Sequence, residues 1–370
     1  MTEKAPAAPG YRGGRRRRGT SIMRTGDQHR ETRPWRIGSL LLVAVLLAVC
    51  LPASSPAADA LQDCMLQALD SADPDMTIGE LRRQCREKLA AAGSAATVEK
   101  HAALVTQRIE QERVNVLKPF TIMAHKPNYL LFASYNRIGY NEDLYREVES
   151  DPGMNFDRTE AKFQLSLKFP LLVGLFNNTL DVFAAYTNRS FWQVYNTDES
   201  SPFRETNHEP EVWVQFHPNW EFFGFRNTWN SFGLNHQSNG RGGILSRSWN
   251  RVFAWLTFER GNLALSIKPW VRLPENDEDD DNPDITDYLG HGAFLASYKW
   301  RGHVFSLISR NNLESGFSRG AVELSWSFPF PGWPYLKGYV QFFNGYGESL
   351  IDYNQYVNSI GIGFSLTDWL

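Results

Sequence analysis

Val357-Asn358-Ser359-Ile360-Gly361-Ile362-Gly363-Phe364-Ser365-Leu366-Thr367 is the stretch that decides the fold, with Asp368-Trp369-Leu370 after it. Ile360, Ile362, Phe364 and Leu366 alternate with Gly361, Gly363, Ser365 and Thr367. Successive side chains of a strand point to opposite faces, so one face here is apolar and the other small or polar. A soluble β-sandwich gives a similar alternation. The ending separates the two readings. A terminal strand that closes a barrel leaves no unpaired edge in lipid, where orphan backbone groups are costly. Trp369 sits next to the end, close to where outer-membrane strands place an aromatic residue. The stretch predicts a membrane-spanning strand that seals a barrel.

The same period of two recurs upstream. Phe163, Leu165, Leu167 and Phe169 alternate with Gln164, Ser166 and Lys168. With comparable runs at 128–135, 181–194, 211–217, 226–236, 251–258, 262–271, 293–299, 303–308, 321–328, 335–343 and 357–366, there are twelve candidate strands. An even number of short strands between alternating short turns and long polar loops predicts an all-β chain. The expected form is a 12-stranded antiparallel transmembrane β-barrel over residues 118–370. Aromatic residues make up 14% of the chain, as girdles at two bilayer interfaces require.

The N-terminal part reads differently. Residues 37–51 are a 15-residue apolar run, preceded by Arg30, Arg33 and Arg36 and followed by Ala58-Asp59-Ala60. Basic flank, short apolar core and an A-x-A site predict a secretory signal peptide cut near Ala60, with Met23 as an alternative start. The run is short for a membrane-spanning helix. Cys50 follows Val49, a poor lipoprotein site where a small residue is needed. Residues 1–60 hold ten Lys/Arg against four Asp/Glu; the remainder, with 28 basic and 37 acidic residues, carries a net charge of −9. A nucleic-acid partner could rest only on the leader, which export already explains.

Residues 61–117 are rich in Leu, Ala, Arg, Glu and Gln, which predicts a short helical periplasmic extension, loosely attached. Thr77 and Glu80 stand at the N-cap and capping-box positions of a helix start. Cys64 and Cys85 are the two cysteines beyond the leader. In an oxidising compartment they form a disulfide or stand as two independent buried thiols.

Within the barrel region, His236 and Ser238 are two residues apart, and Asn250 follows a dozen residues later. On a strand, positions two apart share a face, so imidazole and hydroxyl project side by side. A tight connection then returns Asn250 on the neighbouring strand. These are the parts of an acyl-transfer site: a nucleophile, its base and a group that orients the base. Taken alone, an H-x-S pair on a strand is more often a surface hydrogen bond.

The words around that pair carry more. Ser200-Ser201-Pro202-Phe203-Arg204-Glu205-Thr206-Asn207, the His236/Ser238/Asn250 segment, Asp281-Asn282-Pro283-Asp284-Ile285-Thr286 and Gly345-Tyr346-Gly347-Glu348-Ser349-Leu350-Ile351-Asp352-Tyr353-Asn354 occur in this order. Together they make the region from Lys118 to Leu370 resemble the outer membrane phospholipase A family. The resemblance implies calcium-dependent hydrolysis of the sn-1 and sn-2 esters of phospholipids and lysophospholipids in the outer membrane of a Gram-negative bacterium. It implies Ser238 as nucleophile, His236 as base and Asn250 as orienting group. It further implies one Ca²⁺ per active site, held by the Ser246 hydroxyl, the Arg241 carbonyl and the Ser200 carbonyl of a second copy, in an active homodimer.

This chain departs from the family pattern twice. Asn188 stands where some members carry a glutamine at the dimer seam, which puts that interface hydrogen bond in doubt. Gly243 replaces an aspartate of a second calcium site, although its partner Asp281 is present. Asn250 carries no charge. An aspartate there would stabilise imidazolium better but would set an anion against lipid, at a cost of up to a few kcal/mol depending on depth. The competing reading is a catalytically silent barrel, acting as a pore or structural protein. In a third, residues 61–116 bind a periplasmic partner.

Overall fold

The structure, a computed structural model, describes residues 64–65, 68, 77–94, 104–116, 118, 121–149, 153–218, 220–276, 278–312 and 315–370. The leader, its apolar run, Met23 and Cys50 lie outside the described residues. Twelve strands of nine to sixteen residues form the barrel. They are β1 (Asn128–Asn136), β2 (Thr159–Gly174), β3 (Leu180–Trp192), β4 (Phe203–Phe216), β5 (Phe225–Ser238), β6 (Ser248–Arg260), β7 (Leu263–Arg272), β8 (Gly292–Trp300), β9 (His303–Asn311), β10 (Gly320–Phe330), β11 (Trp333–Tyr346) and β12 (Tyr356–Thr367). Each pairs antiparallel with its sequence neighbours, and β12 pairs with β1 to close the sheet. Closure removes both edges, which is the condition for a sheet in lipid.

The alternation sorts side chains as expected. On β12, Ile360, Ile362 and Leu366 are exposed on the outer wall, while Ser359 and Ser365 are buried inside. On β2, Leu165 and Phe169 face outward, whereas Lys162, Gln164, Ser166 and Lys168 are buried. The lumen is therefore a polar core. Lys126 pairs with Glu209 at 2.6 Å, Lys268 with Glu211 at 2.7 Å and Lys162 with Glu348 at 2.9 Å. Arg204 reaches both Glu160 and Asp352. Buried charges persist only when paired and hydrogen-bonded in this way. A cavity of ≈ 170 Å³ remains, lined in part by Lys126, Arg189, Glu209, Arg251 and Arg310.

Strand β4 begins eight residues earlier than the expected 211–217. Arg204, Glu205 and Asn207 turn inward there and are buried. With polar residues on the inner face, this end of the strand has no hydrophobic contrast for a sequence pattern to detect.

The described residues of the extension include helices at 78–94 and 104–115. In α1 (Ile78–Ser94), the Thr77 N–H donates to Glu80 Oε2 and the Glu80 N–H donates to Thr77 Oγ1, forming the expected capping box. Cys64 and Cys85 are disulfide-bonded, with Cα atoms 5.8 Å apart, and the reading as two free thiols falls. The loose attachment expected for this region does not hold for α2 (Leu104–Asn115). Its Val105 and Thr106 N–H groups donate to the buried Glu259 carboxylate of β6. Arg108 donates to the carbonyls of Ala124 and Trp369, and Lys168 of β2 donates to Glu112. An anion at a helix N-terminus satisfies orphan donors and complements the helix dipole. That interaction, between residues some 150 positions apart, fastens α2 to the barrel interior.

Candidate active site

Strands β5 and β6 bring the expected reactive residues together. In their register His236 stands opposite Asn250, and Ser238 opposite Ser248. Directly paired residues share a face. Leu234, in step with His236 and Ser238, is half exposed, whereas Asn235 is buried. Imidazole, hydroxyl and amide thus project from the outer wall near one rim.

His236 Nδ1 lies 2.8 Å from Asn250 Oδ1. The amide nitrogen of Asn250 donates to Glu275 Oε1 at 2.8 Å, which fixes the amide's orientation and aims its oxygen at the ring. An amide oxygen only accepts, so Nδ1 carries the proton and Nε2 is the basic nitrogen of the neutral ring. Ser238 Oγ makes no hydrogen bond among the described residues. Contacts of this kind often tighten only when substrate is bound.

The wall beneath is rigid. Trp249, fully buried between Ser248 and Asn250, donates its indole N–H to Gln237 Oε1 and lies 4.0 Å from the Arg251 guanidinium. Arg251 also bonds Asn235, Gln237 and Glu209. The inward residues Asn235, Gln237, Trp249 and Arg251 are therefore tied to the lumen network, and this holds the outward His236, Ser238 and Asn250 in register.

The loop from Asn239 to Arg247 is shaped by one residue that the sequence reading did not single out. Asn239 Oδ1 accepts from the Arg241 and Arg247 N–H groups, and its amide donates to the Leu245 carbonyl and to Glu205. The signal was present in Asn239-Gly240, a turn dipeptide whose glycine has φ +66°. His208 was also passed over. It stands opposite Ser238 across β4–β5, and its Nδ1 lies 2.6 Å from the Tyr186 hydroxyl. Asn188 is on the same outer face, opposite His208, and accepts from Ser190.

The residues expected to hold calcium are partly brought together. Ser246 Oγ lies 2.5 Å from Asp281 Oδ2, at the end of the loop that carries Arg241. The Arg241 and Ser200 carbonyls accept no hydrogen bond among the described residues. Ser200 is exposed on the β3–β4 loop at φ 58°. Hydroxyl, carboxylate and free carbonyls are the hard oxygen donors that suit Ca²⁺. Among the described residues no group of three or more His, Cys, Asp and Glu could hold a metal ion. Gly243 faces open space where the second site would need a carboxylate. Nearby, Glu278, Asp279 and Asp281 are exposed, Asp280 pairs with Arg272, and the Asn282 amide oxygen accepts from the Ser248 N–H. Tyr353 on the 347–355 loop donates to Asp284. Burial and the Asp284 carboxylate push that hydroxyl above its usual range.

The sequence model of the family described as Phospholipase A1 matches residues 105–366. The chain is similar to phospholipase A1 of Escherichia coli (strain K12), 39% identical over 252 residues that span 68% of this chain and 83% of the relative. It is likewise similar to phospholipase A1 of Klebsiella pneumoniae, 38% identical over 252 residues, or 68% and 84% of the two chains. Outer membrane phospholipase A from Escherichia coli superposes with a TM-score of 0.62 at 37% identity, covering 68% of this chain and 100% of that one. The Salmonella typhi outer membrane phospholipase dimer with bound calcium superposes with a TM-score of 0.61 at 38% identity, over 68% and 94%. With the twelve-stranded barrel and two thirds of its length shared with these enzymes, the chain belongs to the phospholipase A1 family of outer-membrane barrel phospholipases.

Proposed function

We propose that this protein hydrolyses the sn-1 and sn-2 acyl esters of phospholipids and lysophospholipids, with Ser238, His236 and Asn250 as its triad. The observation that carries the reading is the 2.8 Å contact between His236 Nδ1 and Asn250 Oδ1 on the same outer face as Ser238. His236 Nε2 takes the Ser238 proton as Oγ attacks the ester carbonyl carbon. The carbon–oxygen bond to the glycerol side breaks, and imidazolium returns the proton to the departing lysolipid. Water then enters by the same base and releases the fatty acid. Asn250 keeps the proton on Nδ1 throughout.

The Ser246 hydroxyl, the Arg241 carbonyl and the Ser200 carbonyl of a second copy would hold calcium, which would supply Lewis-acid polarisation of the ester carbonyl, worth several kcal/mol. Asn239 shapes the loop that presents two of those donors. Since the third comes from another copy, the monomer's set is incomplete, and activity follows dimerisation. The Salmonella typhi relative, a dimer with bound calcium, supports this assignment. The polar, ion-paired lumen favours an enzyme over an open pore.

The test is hydrolysis of a diacylphospholipid in detergent micelles, with calcium and with a chelator. The wild-type protein releases fatty acid only with calcium, and more per molecule as protein density in the micelles rises. Ser238→Ala falls to background. A folded barrel that hydrolyses nothing under any condition would favour the silent-barrel reading.

A further inference from the structure

The neutral triad has an anion behind it. Asn250 uses both ends of its amide: Oδ1 faces His236 Nδ1 at 2.8 Å, and Nδ2 donates to Glu275 Oε1 at 2.8 Å. A second contact sets this up, because the Leu273 N–H donates to the Asn250 carbonyl at 2.8 Å. The segment after β7 is thereby stapled alongside the start of β6. We propose that Glu275 is a positioning residue of the catalytic relay, which locks the Asn250 amide and supplies through it the negative charge that the triad lacks.

The physical argument has three parts. An amide between a donor and a carboxylate is polarised, so density shifts toward Oδ1 as Nδ2–H bonds to an anion; chains of hydrogen bonds strengthen one another in this way. A bond to a carboxylate is also stronger than a neutral one, so it holds the amide against a flip that would present Nδ2 to the ring. Finally, the location resolves the problem of charge on a lipid-facing wall. Glu275 lies beyond the last residue of β7, in the rim loop and partly exposed, where an anion is tolerated. Charge reaches imidazolium from the wet rim, while the residue that touches the ring stays neutral.

Other ionisable groups among the described residues lie around the His236–Asn250 pair. On the outer wall these are His208 on β4, bonded to Tyr186 of β3, and Asp281, which bonds Ser246. Arg251 and its cross-strand partner Arg272 belong to the inner face. Arg241 bonds the Phe203 and Arg204 carbonyls, and Arg247 the Ile244 and Ser246 carbonyls.

This inference rests on the triad proposed above, and the experiment separates the two. Wild type, Ser238→Ala, Glu275→Leu and Glu275→Gln are compared as calcium-loaded full-length proteins, each first shown to be folded by its heat-modifiable gel mobility. Glu275→Leu loses the acceptor and the charge, and its kcat falls about tenfold with KM unchanged. Glu275→Gln keeps an acceptor but not the charge, and its kcat falls less. In both, the acidic limb of the kcat–pH profile moves down by about half a pH unit, because the anion that favoured imidazolium is gone. If both variants match wild type in kcat and pH profile while Ser238→Ala is inactive, the role of Glu275 is refuted and the triad stands. A loss of kcat with an unmoved pH profile in both variants also refutes it, leaving only a structural contact. If Ser238→Ala remains active, the triad itself falls, and this inference with it.

Discussion

At the scale of single residues, the site runs on hydrogen-bond donors and acceptors that allow one arrangement. Asn250 bridges a ring N–H and a carboxylate, which aspartate cannot do, since it has no N–H to give Glu275. Asn250→Asp should therefore lower kcat by about tenfold or more, as two carboxylates meet where one amide stood. Combining it with Glu275→Gln restores a donor opposite the new acceptor and recovers activity relative to Asn250→Asp alone. Steady-state rates of the two proteins decide the matter. At the seam, a Cβ on Gly363 would collide with the Leu130 carbonyl oxygen. Gly363→Val should block pairing of β12 with β1, and the protein would lose its heat-modifiable gel mobility. Ile360, three residues away on the lipid face, should accept valine with little effect.

At the scale of elements, helices and strands are held by different means. The strands carry their own instructions, because period-two polarity sets the face of every residue. Helix α2 does not. Its first turn is satisfied by Glu259, whose carboxylate accepts from the Val105 and Thr106 N–H groups and from Arg226. Glu259→Leu leaves buried donors unmet, at about 1–3 kcal/mol each, so α2 should detach while the barrel remains folded. Faster amide exchange or proteolysis across 104–115 would register this. Helix α1 relies on its capping box, where hydrogen bonds from Thr77 hold the Glu80 carboxyl below its usual range. Its contribution is complete above the ordinary carboxylate pKa and is lost as pH falls through the lowered value. Exchange protection of the first turn of α1 should weaken in acid, and Thr77→Ala, which removes the hydroxyl but keeps the backbone N–H donor to Glu80, should reduce that pH dependence without abolishing it.

At the scale of the whole molecule, the barrel and the disulfide-bonded segment are separable in stability. The Cys64–Cys85 bond spans 21 residues of chain outside the barrel, a closure worth about 3 kcal/mol to that segment. Reduction should abolish exchange protection in α1 and leave barrel melting and phospholipid hydrolysis unchanged. A fall in hydrolysis on reduction would instead give the segment a part in activity.

The polarity of each strand was legible in the sequence, because which face a residue takes is a local property of extended backbone. That made the twelve strands, the closing seam and the shared face of His236 and Ser238 readable from spacing alone. The polar start of β4 was not readable, since its inward residues answer to charges on distant strands. Tertiary structure decided that Glu259 receives α2, that Asn239 bonds Glu205 across the barrel wall and that Glu275 stands behind Asn250. Those contacts depend on barrel register and on where long loops fold back. No residue's own spacing in the chain encodes either one.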